Sequence, residues 1–197
     1  MTEYFSSIRP ELLCAAALAL LLIAAAAIDV RQRRIPNWLT GGGIAIGLLL
    51  HGLVPFGWGL FDYRWGSPGL LPACYGLGLG LALFLPLYLL RAVGAGDVKL
   101  LAMSGVWLGP KLLFSATLLT LLVGGAMALA MMFASGTARR VITNVRWLLT
   151  TAMVDAHSGR VAAFDATATS GVRMPYAVAI CGGVLLQLGW LIWQANS

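Results

Sequence analysis

Two aspartates in this chain stand where an apolar sequence has no ordinary use for an acid. Asp97 closes the run Gly94-Ala95-Gly96-Asp97, continues into Val98-Lys99-Leu100, and lies between apolar stretches from Leu70 to Leu90 and from Leu100 to Leu108. A carboxylate at or near bilayer depth is costly, and it is normally paired or turned toward a wet cavity. Gly94 and Gly96 let an extended segment or a second helix come close beside it. Asp29 directly follows the uncharged run from Leu12 to Ile28. Two carboxylates brought together cannot both ionise readily, so one holds a proton while the other can take one from water. Those are the acid and base halves of amide hydrolysis. Taken alone, Asp97 has a plainer use, which is to cap the helix that follows a turn.

The elements that carry these acids belong in a membrane. The 197 residues are 60% hydrophobic and only 10% charged, outside the range of soluble domains. No polar block is long enough to fold around a core of its own, so residues 1–197 are expected to form a single membrane-embedded domain. The net charge of +6 is spread between apolar runs and builds no basic face, so it reports topology and gives no reason to expect nucleic acid. Cys14, Cys74 and Cys181 stand singly in apolar runs, which gives neither a metal site nor a disulfide framework, and no cofactor is implied.

Six spans are expected, at about residues 12–28, 38–54, 70–90, 98–109, 112–134 and 174–193, in an all-α polytopic arrangement. The first offers about 26 Å of helix, just enough to cross. No polar mature domain follows a small-residue cleavage site, so it reads as a retained helix and not as a signal peptide. The basic turn Arg31-Gln32-Arg33-Arg34-Ile35-Pro36-Asn37 then leads into the second span, Pro36 suiting a first helical turn. Gly43 with Gly47, and Gly76 with Gly80, are spaced for close helix contact, and Pro86 should kink the end of the third span. His51 reads as a hydrogen-bonded or interfacial residue. Trp58, Tyr63 and Trp65 in the loop at 55–68 suit the headgroup level. The fourth span is too short to cross unless it begins below the surface, which places Asp97 in a recess. In the loop at 135–173, Val141, Val145, Leu148, Leu149 and Ala152 recur at helical spacing, as in an interfacial helix.

With six spans, Arg31, Arg33, Arg34, Arg91, Lys99, Arg139, Arg140, Arg146, Arg160 and Arg173 fall on one side, out of 13 basic residues in all. The positive-inside rule makes that side cytoplasmic and both termini periplasmic. Asp29 and Asp97 then share the cytoplasmic side and can meet. Asp62 falls on the other side, while Asp155 and Asp165 lie in a polar loop where solvated acids need no explanation.

Asp29-Val30-Arg31 with Arg34-Ile35-Pro36-Asn37, taken together with Gly94-Ala95-Gly96-Asp97-Val98-Lys99-Leu100, strongly resembles the type IV prepilin peptidases. These are membrane aspartyl proteases of the GxGD class, with a presenilin-like arrangement. Met174-Pro175-Tyr176-Ala177-Val178-Ala179-Ile180 resembles that family's last-helix signature. The resemblance implies a hydrolase in the bacterial inner membrane that cuts the short basic leader from a prepilin, with lipid and the prepilin as its partners. It makes Asp29 and Asp97 the catalytic pair, lets Gly94 and Gly96 shape the loop beside the scissile bond, and gives Lys99, Pro36 and Asn37 a structural part. Long members carry paired cysteines ahead of the first aspartate and also methylate the cleaved pilin. Here that stretch is short and the cysteines are unpaired, so the resemblance is to the peptidase-only branch used for Flp-type pili. Two other readings stand beside this one. A small proton-coupled carrier would need polar residues continuing across the bilayer, and a catalytically silent pilus-assembly scaffold would use the acids only as caps.

Overall fold

The computed structural model describes residues 10–53, 69–90, 93–136, 143 and 175–196. The described chain is all-α: α1 (Pro10–Gln32), α2 (Asn37–Leu53), α3 (Leu70–Leu89), α4 (Ala95–Ala134) and α5 (Tyr176–Asn196). Among them α1, α3, α4 and α5 are each long and apolar enough to cross a membrane, as a polytopic membrane protein requires. Large apolar side chains such as Leu20, Leu49, Leu71, Leu122 and Trp193 point outward, the arrangement that lipid rather than water rewards. The aromatic loop at 55–68, Arg91 and the amphipathic pattern at 141–152 fall outside the described residues, Thr143 apart.

The core is built around the first half of α4. Every residue from Leu100 to Gly109 is buried, so this short helix has no face left for lipid. Small residues on its neighbours make that possible. A Cβ on Gly76 would run into the carbonyl of Gly105, and one on Gly80 would sit 2.7 Å from the Cα of Ala102, so α3 and α4 touch backbone to backbone. Pairs at 76/105 and 80/102 mean that the two helices run antiparallel. On the other flank Gly43 meets Met103, and Gly47 meets Val106 and Trp107, so α2 runs parallel to α4 there. The buried Trp107 indole N–H donates to the Gly43 carbonyl at 2.9 Å, which satisfies the one polar atom that this bulky ring brings into the core. Where tails and side chains are equally apolar, such close van der Waals contact is what holds helices together.

Two helix boundaries differ from the sequence expectation, each for a local reason, while the break in α4 falls where that expectation divides the fourth span from the fifth. Residues expected as a fourth and a fifth span belong to one element, α4, whose backbone breaks only at Gly109 (φ 73°, ψ 173°). Pro110 removes an amide there, and Gly109 alone can take the left-handed conformation without a Cβ clash. The break is sharp. Leu113 comes within 2.8 Å of the Cβ position of Gly105, although a straight helix would put about 12 Å of rise between them, so the chain folds back at Gly109. The first helix passes its expected end by a turn and carries Asp29 inside its last turn. Polar side chains leave the apolar layer without ending the hydrogen-bond ladder. The stop comes at Arg33, whose φ of 52° turns the chain and whose N–H donates to the Asp29 carbonyl at 2.7 Å, a left-handed C-terminal cap. Pro36 lies just outside α2, with its carbonyl accepting from the amide of Leu39 at 3.1 Å.

Candidate active site

Asp97 is the third residue of α4. Its Oδ2 accepts from the N–H of the N-cap residue Gly94 at 3.0 Å, the carboxylate half of a capping box. Gly94 has no side-chain oxygen, so the reciprocal bond cannot form. Capping thus occupies one oxygen of Asp97, and the residue is still only 8% exposed. An acid wanted only as a cap could serve just as well in water.

Asp29 reaches a buried position by a different route. Ala15, Leu18, Leu22, Ala25 and Asp29 recur at steps of three and four, and all five are buried, so the acid ends the single stripe that α1 turns inward. At the end of that stripe, the backbone N–H of Ala177, in the first turn of α5, donates to the Asp29 carboxylate, and the positive charge of Arg33 lies in electrostatic reach. The first amides of a helix have no partner in their own helix and favour negative charge, so α5 gives Asp29 what the start of α4 gives Asp97. Asp97 lies within electrostatic reach of Asp29.

The other expected site residues lie on the turns around the acids. Lys99 donates from Nζ to Oδ1 of Asn37 at 2.9 Å, tying the first turns of α4 and α2 across 62 positions of sequence. Gly96 faces the basic turn, where a Cβ would stand 3.1 Å from Cβ of Ile35. Pro36 is half-buried beside that same turn, and Gly94 is the N-cap of α4. Tyr176, which the sequence offered only as part of a signature, packs edge-on against Phe84 with ring centroids 5.8 Å apart. Its hydroxyl end lies 3.2 Å from the Cβ position of Gly124, and it is in electrostatic reach of Asp97. A signal for it was available: the first turn of a helix that begins on the side of both acids.

Three buried hydroxyls are spent locally. The hydroxyls of Ser104, Thr117 and Thr120 donate to their own helix carbonyls four residues back, at 3.0, 2.8 and 2.8 Å. His51, buried near the end of α2, places Nδ1 2.8 Å from the carbonyl of Gly47. Among the described residues no three His, Cys, Asp or Glu side chains gather as a metal site would require.

The model of the type IV leader peptidase family matches residues 16–129, more than half of the chain. The chain belongs to this family. That stretch contains Asp29, the basic turn, the Gly94 to Asp97 run and the break at Gly109, while the first turn of α5 lies beyond it. Membership supports a prepilin-peptidase-like role, and with it hydrolase activity, for this leader peptidase relative. No curated protein and no solved structure matches the chain.

Proposed function

We propose that this chain is an aspartic endopeptidase that removes the short basic leader from a type IV prepilin of the Flp type, at the cytoplasmic face of the bacterial inner membrane. What supports the reading is that two buried aspartates, carried by separate helices of the matched stretch, lie within electrostatic reach of one another and beside the first turn of α5. In the proposed reaction one carboxylate takes a proton from water as its oxygen adds to the scissile carbonyl, and the other, protonated, gives its proton to the carbonyl oxygen. The C–N bond of the resulting diol then breaks as the nitrogen takes a proton, leaving an acid and a free amine. Two carboxylates sharing one proton are equipped for both halves of the step.

The membrane reading that goes with this counts six crossings: α1, α2, α3, the two halves of α4, and α5. Both termini are then periplasmic, and the acids share the side with the basic turn. Lipid and the prepilin are the partners. The prepilin's apolar helix would stay in the bilayer while its leader enters between the start of α4 and the end of α1. The buried hydroxyls of Ser104, Thr117 and Thr120 favour this over a proton carrier, because each is bonded within its own helix and among the described residues they form no track away from the acids.

Coexpression with a Flp-type prepilin tests the proposal. The expected outcome is a shortened pilin on a gel, with a new N-terminus that mass spectrometry places after the basic leader. A prepilin that keeps its full mass beside well-expressed, membrane-inserted protein would contradict it. EDTA is expected to leave the rate unchanged, and a chelator block reversed by added zinc would overturn the proposed two-aspartate chemistry.

A further inference from the structure

In the first turn of α5, Tyr176 lies within electrostatic reach of Asp97, while the amide of its neighbour Ala177 serves Asp29. Its position can be fixed without reference to charge. Gly76 pairs with Gly105 and Gly80 with Ala102, so one further turn along the antiparallel helices sets Phe84 beside Val98, next to Asp97. Phe84 is 1% exposed, and the Tyr176 ring stands edge-on to it. From the other side, Gly124 in the second half of α4 comes within 3.2 Å of the phenol oxygen, measured from where a Cβ would be. The ring is therefore held between α3 and α4, and the space occupied by the hydroxyl is space that an alanine at 124 would contest. Tyr176 is half-buried, and a phenylalanine would fill the same slot against Phe84 without bringing a hydroxyl between α3 and α4.

We infer that Tyr176 is a positioning residue for Asp97, with its hydroxyl holding the orientation of that carboxylate from the first turn of α5 and Gly124 kept small to admit the phenol. The inference rests on the peptidase reading and deepens it. It makes α5 the element that sets both acids, one through a backbone amide and one through a side chain. A substrate leader entering the site would then meet two acids whose relative placement depends on a single helical turn.

The test uses the full chain in liposomes, with a prepilin the wild-type protein is first shown to process and Asp97→Asn shown not to. If that first step fails, the peptidase reading falls. If it succeeds, variants at 176 and 124 bear on Tyr176 alone. Tyr176→Phe keeps the ring on Phe84 and removes only the hydroxyl. The expected result is kcat lower by roughly 10- to 100-fold, the worth of one hydrogen bond to a charged group, with KM and the melting temperature unchanged. Wild-type kcat in Tyr176→Phe would overturn the inference, and so would a rise in KM at unchanged kcat, which would make the hydroxyl a substrate contact. Gly124→Ala presses on the phenol from the far side and is expected to lower kcat at unchanged KM as well. Full kcat in that variant would equally contradict the role given to Tyr176.

Discussion

Asp97 and Asp29 are buried to the same degree, 8% and 9% exposed, yet the helices that bring them there are packed in opposite ways. Asp97 opens a helix whose residues from Leu100 to Gly109 are enclosed on every side by α2, α3, α5 and the returning half of α4. Asp29 ends a helix with one narrow inward stripe, Leu13, Leu20, Ile23 and Val30 being at least half-exposed apolar residues on its remaining faces. The backbone of the first acid is held by the core, whereas the second acid depends on α5 for its place as well as its orientation. The difference teaches where each can be disturbed: Asp97 through tight backbone contacts far from it, Asp29 and its partner through the turns that meet them at one end.

The largest effect is expected from the core side. Gly105→Val would force a branched side chain onto the backbone of Gly76, whose carbonyl carbon lies 2.6 Å from the Cβ position, and backbone cannot move aside as a side chain can. Separating α3 from α4 should cost more than about 3 kcal/mol and leave little folded protein, read as yield and melting in detergent. Wild-type melting would mean that the enclosed helix is less tightly held than the comparison requires. A smaller and more local effect is expected at the turns. Gly96→Val should lower leader removal about 10-fold relative to Ala95→Val, because Ile35 stands 3.1 Å from the Cβ position of Gly96 while Ala95 is exposed. Helix propensity cannot explain that order, since valine is a poorer helix former than alanine but a better one than glycine. Equal activity at equal expression would remove any special demand at Gly96. The smallest effect is expected at the exposed tie. Asn37→Ala breaks the 2.9 Å bond to Lys99 and should cost about 0.5 kcal/mol, with activity within about twofold of wild type. A tenfold loss of cleavage in a protein that still melts normally would give that pair a part in the chemistry.

Legibility in the sequence divides along the same line. Asp29 and Asp97 were legible because an acid beside an apolar run is rare enough to demand a reason. Gly43, Gly47, Gly76 and Gly80 were legible because their four-residue spacing has one strong use in a membrane, and each lies against the central helix. The fold-back at Gly109 was legible as a break at Pro110, but its sharpness was not, since that depends on one backbone torsion. The end of α1 was misjudged by a turn because polarity marks where a helix leaves the apolar layer, whereas hydrogen bonding decides where it stops; Arg33 does the stopping. Tyr176 and Trp107 were missed as participants, because an aromatic residue in an apolar run looks like any other until its polar atom's partner is known. That partner is Gly43 for Trp107, and it comes from 64 positions away.

The central claim is that two acids from unlike helices work as one pair, and removal of each charge in turn tests it most directly. Asp29→Asn and Asp97→Asn, purified, reconstituted in liposomes and mixed with prepilin, should each lose at least about 100-fold in the rate of leader removal, since each deletes one partner of the proton exchange. Their melting temperatures should stay near wild type, because asparagine can still accept from the amides of Ala177 and Gly94. Cleavage at the wild-type rate by either variant would contradict the account, for it would leave a single acid doing what the pair is proposed to do.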